Sequence, residues 1–489
     1  MARRGEAEGR QLFLRAAAPL HQVRVSASEL VSDSGQRLDR RWLAWHFVNY
    51  VHLERNSRAT PADELLWPAP ADYPDELSDD LARDLPADQT QPIYLRVTVP
   101  PTATAGRYRG TVTVQSAEGS EVLPLELTVS RAPAPGPERF AFVYWYSWDE
   151  ACKQFGVARN SAAGWRVLEH LAAMMKVYHQ NSVVIPWHLI SAWQRPDGGL
   201  QIDWTDFDRY LEVMRRAGVD RLFCLAHVGS RTTQDWLCPT MAAHRLEMRR
   251  LDTLETVHVS TLDLLPAVEQ HVVELGLLDR FAVHVADEPI AENLESYRQL
   301  STEVRRRAPR LRRIDAIHVP QLDGSLEIWV PQTNYLEKWL TGFQAAQKAG
   351  NELWFYVAWV PQGAHTNRMI DSTAIKPRLL HWLNALYGTT GYLHWALNHW
   401  HIPLTSLESP GDQYICWPSR RFVANSSLRY EAERDGMEEA ELLAELGRAG
   451  TPAEQSHGMV SDFTHYRRSW EELEQARRQL LAELEQRQR

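Results

Sequence analysis

Apolar and polar positions alternate with period two over roughly the first quarter of the chain. After that, short apolar runs alternate with helical stripes. In residues 93–99, Tyr94, Arg96 and Thr98 are set against Leu95, Val97 and Val99, the mark of a strand with one buried face. Runs at 106–114 and 123–129 read the same way, and 11–14, 23–28 and 42–53 are further strand candidates. Turn residues punctuate these runs and no helical period emerges, so residues 1–130 are expected to form an antiparallel β-sandwich domain. Segment 58–91, rich in Pro, Asp and Ala, reads as a long excursion between strands. Residues 131–137 carry three prolines and a glycine and form a stiff linker.

From residue 138 the rhythm is strand, then helix. Strands are expected at 140–146, 181–187, 221–227, 281–289, 312–318, 326–330, 352–359 and 391–397. Helices are expected at 161–178, 204–216, 262–275, 291–307, 335–348, 373–387 and 428–446. Trp165, Leu168, Leu171, Met175 and Tyr178 share one face of the first. Gly218, Gly350 and Gly388 supply stops, and Pro309 ends another helix. This is the pattern of an α/β chain, a (β/α)8 TIM-like barrel over 138–450. A doubly wound sheet would bring a glycine-rich turn after its first strand, and Tyr146-Ser147-Trp148-Asp149 has none. Segment 228–256 interrupts the alternation without a clear period. The tail, 451–489, is expected to end in a charged helix docking on the barrel through Trp470, Leu473, Leu480 and Leu484.

Charge and composition narrow the partners. A formal charge of −10 on 489 residues argues against nucleic acid or an anionic membrane as partner. Four widely spaced cysteines form no C-x-x-C pattern, so neither a zinc ribbon nor a disulfide framework is indicated. Arg3 and Arg4 are followed by Glu6 and Glu8, and Arg15 breaks the apolar run 12–20, a poor signal peptide. No run approaches the ~18 apolar residues of a membrane span. The expectation is a cytoplasmic protein, monomer or homodimer. The 19 tryptophans and 16 tyrosines matter for function only if they gather at strand ends.

In a barrel, chemistry sits at the carboxyl ends of the strands. Those positions here hold Tyr146 and Trp148, Trp187, His227, Asp287 and Glu288, His318, Gln332 and Asn334, Trp359, and Asn398 and Trp400. Tyr356 and Trp395, inside the last two strands, are further candidates for substrate contact. An aromatic cup with a few neutral polar groups and one acidic centre suits an uncharged, hydroxyl-rich ligand, and points to a glycosidase acting on a small carbohydrate or glycan. Glycosidases usually oppose two carboxylates across the bond. Here the seventh strand ends Ala358-Trp359-Val360-Pro361 without an acid, Asp315 lies inside the fifth strand, and Asp371 comes beyond a loop. A substrate-assisted mechanism removes the need for a second acid. The acetamide of a 2-acetamido sugar is then the nucleophile, and Asp287 and Glu288 share the remaining work. Like charges and partial burial would raise one of the two pKa values. Helix capping by the same two residues is the plain alternative. Because successive strand residues face opposite ways, the shared site requires a twist or bulge at Asp287.

Asp287-Glu288-Pro289 closing a strand resembles the glycoside hydrolase family 123 β-N-acetylgalactosaminidases and the wider DUF4091 group around them. Gln91-Pro92-Ile93-Tyr94 and Ala105-Gly106-Arg107-Tyr108-Arg109-Gly110 look like that family's N-terminal sandwich. Trp329-Val330-Pro331-Gln332, Asn367-Arg368-Met369-Ile370-Asp371, Gly391-Tyr392-Leu393-His394-Trp395 and Glu433-Arg434-Asp435-Gly436-Met437-Glu438 look like the second half of its barrel. The resemblance implies Glu288 as general acid/base and Asp287 as the group that orients the acetamide, with no cofactor. It departs at Glu439-Ala440-Glu441, and segment 228–256 does not align.

Other readings differ in what they need. A glycosidase for a different sugar needs a loop acid such as Asp371 or Asp149. A carbohydrate-binding barrel without catalysis would not need the intact pair. His394, His399 and His401 lack a carboxylate at metal-ligand spacing, so no metal is expected.

Overall fold

A computed structural model describes residues 1–406, 408–447 and 456–487. The first unit is two antiparallel sheets. In one, Ala7–Leu14, Gln91–Thr98, Leu43–Leu53 and Ala71–Leu77 lie side by side. The other is built around Gly106–Gln115, flanked by Leu20–Ala27 and Ser120–Val129. Alternation puts Val23, Val25, Phe47, Ile93, Leu95 and Val112 between the sheets. The expected excursion 58–91 in fact supplies strand Ala71–Leu77. Pro74 sits there opposite Tyr50 at a register shift on the sheet edge, the place a strand tolerates proline.

The second unit is a nearly closed parallel barrel. Its strands are β1 (Ala141–Tyr144), β2 (Ser182–Ile185), β3 (Leu222–Leu225), β4 (Phe281–His284), β5 (Arg312–Ile317) and β6 (Ile328–Pro331). β7 comes in two pieces, Glu352–Leu353 and Phe355–Tyr356, and β8 is Gly391–His394. The nine segments pair in chain order. β8 pairs with β1, and a bridge from Gln332 to Tyr356 links β6 to the second piece of β7. Val143, Cys224, Ala282, Ile314, Val330 and Leu393 fill the interior. The helices are α1 (Trp148–Gln154), α2 (Ala162–Val177), α3 (Thr205–Ala217), α4 (Thr261–Glu274), α5 (Leu294–Arg307), α6 (Thr333–Lys338), α7 (Leu340–Lys348), α8 (Ile375–Tyr387), α9 (Leu428–Glu445) and α10 (Trp470–Gln486).

Two features depart from a full strand–helix alternation. Between β5 and β6 there is a loop and no helix. That stretch is short and carries Pro320 and Gly324, the latter at φ +74°, so no helical turn propagates. Segment 228–256 is not a featureless insertion. Gly229–Arg231 and Met241–Ala243 form a hairpin, and Arg245–Arg250 joins a separate four-stranded sheet.

Charged pairs lock the two units together. Arg96 meets Glu431 at 2.9 Å, and Arg429 meets Asp75 at 2.8 Å, both across the seam. α10 lies in the same seam: Leu473, Leu480 and Leu484 are buried, and Arg477 reaches Glu6 at 3.0 Å and Glu439 of α9 at 3.2 Å. Trp470 is half-exposed, with the Arg378 guanidinium of α8 5.7 Å over its ring. The expected boundary at 450/451 lies outside the described residues.

Candidate active site

The β4 ladder ends at His284, and the chain runs on through Val285 and Ala286 to the two carboxylates. Glu288 then adopts φ +50°, a left-handed conformation rare for a residue with a Cβ. This is the distortion that two neighbouring acids need in order to face one site. Three contacts hold it. The Glu288 N–H donates to Ala316 O at 3.1 Å. Arg231, from the 229–243 hairpin, forks its guanidinium onto Asp287 O at 3.0 Å and Glu288 O at 2.7 Å. Its third donor, Nε, bonds Trp236 O at 3.0 Å, and the guanidinium lies 4.0 Å over the Trp236 ring.

Glu288 points towards β5 and β7. Tyr356 donates its hydroxyl to Oε1, and His318 Nε2 stands 3.4 Å from the same oxygen and 2.8 Å from the Tyr356 hydroxyl. His318 is sandwiched between Tyr335, at 4.3 Å between ring centres, and Trp236, at 5.7 Å. Burial works to raise the Glu288 pKa, but the His318 and Tyr356 contacts outweigh it and hold the carboxyl below its ordinary value.

Asp287 points towards β3. His227 Nε2 lies 3.9 Å from its Oδ1, and 3.2 Å from Asp315 Oδ1, off the line of a good hydrogen bond. Asp315 is fully buried and densely paired. Besides His227, it meets His284 Nδ1 at 3.2 Å, the Ala286 N–H at 2.6 Å and the Tyr297 hydroxyl at 2.9 Å. These partners overcome burial and hold its carboxyl at about 2. Burial opposes a charge on His227, but Asp315, then Asp287 and Glu288, raise its pKa. Asp287 has no comparable holder. Burial first, then the Glu288 charge, push its carboxyl up to about 7. Its side chain is still 47% exposed to the groove, so solvent tempers that push.

His227, His284 and Asp315 bring their donor atoms within 4.8 Å of one another, close enough to hold a metal ion. Asp315 already accepts three hydrogen bonds beside its His227 contact, while His227 Nε2 and His284 Nε2 have no hydrogen-bond partner among the described residues.

A cavity of about 310 Å³ opens beside His227, at the ends of β8, β1, β2 and β3, with Trp145, Asp149, Arg159, His188 and His399 in its wall. Larger cavities of about 750 and 810 Å³ lie along the seam with the first unit, away from the acids. The groove at the barrel mouth is therefore the candidate site.

The other expected contacts divide. His227 and Tyr356 stand directly at the acid pair. Trp359 is 49% exposed, and Asn334 offers a buried amide oxygen with no partner. The Trp395 indole N–H is committed to Asp412 at 2.8 Å. Gln332 is buried, its backbone paired with Tyr356 at the barrel closure.

Trp148 and Trp187 are both buried, and Trp148 also lines the cavity beside His227. Their indole N–H groups reach Gly164 O at 2.9 Å and His227 O at 2.8 Å. The Tyr146 hydroxyl is tied to Tyr210 at 2.5 Å, Asn398 clasps both backbone groups of Ser147, and Trp400 bonds Cys416 O at 2.8 Å. Of the two offered loop acids, Asp371 is engaged at the seam and Asp149 stands in the wall of the cavity beside His227. Asp371 takes the Ser57 N–H at 2.6 Å at the seam, and Asp149 pairs with Arg159 at 2.8 Å. Arg231, Trp236, Tyr335 and the Asp315 network were not among the expected site residues. Only His318 and Asp315 had a sequence signal, in their positions on β5.

Comparison with known proteins agrees with this architecture. The family model for the glycoside hydrolase 123 catalytic domain matches residues 145–446, and that for the glycoside hydrolase 123 N-terminal domain matches residues 1–116. Among solved structures, a family 123 glycoside hydrolase from Clostridium perfringens, studied for glycolipid glycan hydrolysis, is similar at a TM-score of 0.72 and 12% identity. That match covers 99% of this chain and 92% of the other. A GH2 β-galacturonidase from Eisenbergiella tayi matches at a TM-score of 0.34 and 12% identity, over 89% of this chain and 72% of that one. No curated protein matches.

Proposed function

This chain belongs to glycoside hydrolase family 123 and hydrolyses glycosidic bonds, and from that premise we propose that it is an exo-acting, retaining β-N-acetylhexosaminidase, with a galacto-configured sugar by family resemblance. In the proposed reaction the 2-acetamido oxygen attacks C1 as the bond from C1 to the leaving oxygen breaks. Glu288 gives its proton to that oxygen. Asp287 accepts a hydrogen bond from the acetamide N–H and steadies the positive oxazolinium-like ring. Glu288, now a carboxylate, takes a proton from the water that attacks C1; the ring reopens to the acetamide and the β configuration is kept.

The observation that carries this reading is the opposite electrostatic setting of two adjacent carboxylates, with Asp371 and Asp315 committed elsewhere. In the free enzyme these surroundings favour a proton on Asp287 over one on Glu288. Substrate reverses this. An N–H donor at Asp287 favours its carboxylate, and a glycosidic oxygen at Glu288 favours its acid form. The free-enzyme setting also supports a second reading in which the roles are exchanged, with Asp287 as the acid.

Aryl glycosides with a progressively fluorinated acetamide test the assisted step. The proposal expects kcat/KM to fall steeply as the amide oxygen loses nucleophilicity, and a thiazoline analogue to inhibit. A flat series, or equal turnover of neutral galactosides, would replace it with a glycosidase that uses a protein nucleophile.

A further inference from the structure

The 229–243 hairpin does more than brace the acids. We propose that Trp236 is the platform for the leaving-group side of the scissile bond, stacking on the pyranose ring from which the terminal sugar is cut. This rests on Glu288 being the acid. The acid must touch the glycosidic oxygen, so the two halves of the substrate lie on either side of it. The cavity lined by His227, whose Nε2 lies 3.9 Å from Asp287 Oδ1, takes the terminal sugar, whose acetamide must reach Asp287. The other half then runs over His318, whose ring neighbours are Tyr335 at 4.3 Å and the half-exposed Trp236 at 5.7 Å.

A lone exposed tryptophan is common on protein surfaces and by itself means little. Trp236 differs in how firmly it is held. One face is covered by Arg231 at 4.0 Å, and its own carbonyl is bonded to the same guanidinium. The hairpin is fastened to α5 and the turn before it: Met241 N–H donates to Ser296 Oγ at 2.6 Å, and Asn293 Nδ2 donates to Cys238 O at 3.2 Å. The ring is nevertheless 45% exposed. A rigid, half-open aromatic face beside an acid offers the flat apolar surface that the C–H face of a sugar stacks on, at little ordering cost. Arg231 touches both the platform and the carbonyls of Asp287 and Glu288. Occupancy beyond the bond is thereby coupled to the placement of the acid.

Two substrates separate this role from a structural one: a β-linked N-acetylhexosaminyl disaccharide, and the matching β-glycosyl fluoride, whose leaving group has no ring. Trp236→Ala should lower kcat/KM on the disaccharide at least about tenfold, the scale of truncating an aromatic anchor. The fluoride should lose at least about fivefold less than the disaccharide, since it makes no use of the platform. Trp236→Phe should recover most of the disaccharide activity. Arg231→Lys, which loses the fork on the two carbonyls, should lower both substrates together. Equal loss on both substrates in Trp236→Ala, or no loss on the disaccharide, would overturn the platform. A wild-type enzyme that cleaves neither compound would overturn the proposed sugar and the platform with it.

Discussion

Asp287 and Glu288 are neighbours in sequence and opposites in surroundings. Asp287 faces the His227 imidazole at arm's length, backed by the buried Asp315, and is half open to the groove. Glu288 is gripped directly by a phenol and an imidazole, with its side chain only 19% exposed. A regular strand would have sent one of them into the barrel wall. The left-handed turn at Glu288 brings both to the mouth, and the Arg231 fork keeps it there. Chemical difference between identical functional groups thus comes from what each neighbour donates.

The largest expected effect is on the Asp287 side. Asp315→Ala strands His227 and His284 without their anion and removes the acceptor for Tyr297 and the Ala286 N–H. Breaking a buried charged network of this kind costs about 3–5 kcal/mol. A denaturant midpoint near the wild-type value would show that Asp315 is not the keystone of that half. On the Glu288 side, Tyr356→Phe removes one donor from the carboxylate. Its pKa should rise, so the acid form persists to higher pH and the basic limb of the kcat/KM profile moves upward. Activity should fall about tenfold, the usual worth of a hydrogen bond to a charged group. An unmoved limb would mean that Tyr356 does not set the charge of Glu288.

The smallest effect is on stability. The fold raises the Asp287 pKa to about 7, so the folded state favours its protonated form. That contribution is fully present below the ordinary carboxylate pKa and is lost as pH rises through 7. Asp287→Asn cannot ionise. Thermal midpoints should therefore show the variant gaining on wild type between pH 4 and 8, modestly, because the side chain is half-exposed. A gap that stays constant with pH would contradict the raised value.

Much of this was legible in the chain. The strand order, the Asp-Glu-Pro end of β4 and the need for a kink followed from apolar runs and side-chain alternation. Other parts had no sequence signal, for physical reasons. The 229–243 hairpin has three-residue strands, too short for a period. Its key contact is an arginine to backbone carbonyls, which leaves no mark on the residues that accept it. Strand-end position also says nothing of rotamer. Trp148 and Trp187 both sit at strand ends and turn their indole N–H groups onto nearby carbonyls. Asp315 was set aside because it lies below the mouth; its influence reaches the site through His227.

The division of labour between the two carboxylates is best tested by varying the leaving group. Rates of Glu288→Gln and Asp287→Asn would be measured on N-acetylgalactosaminides that leave as poorly acidic alcohols and as an activated dinitrophenol. On the poor leaving groups both variants should lose about 10²–10⁴-fold, the usual contribution of a positioned proton donor or its partner. With dinitrophenol, which needs no proton to depart, Glu288→Gln should regain most of its rate and Asp287→Asn should not. Recovery of Asp287→Asn instead would exchange the two roles and contradict the account.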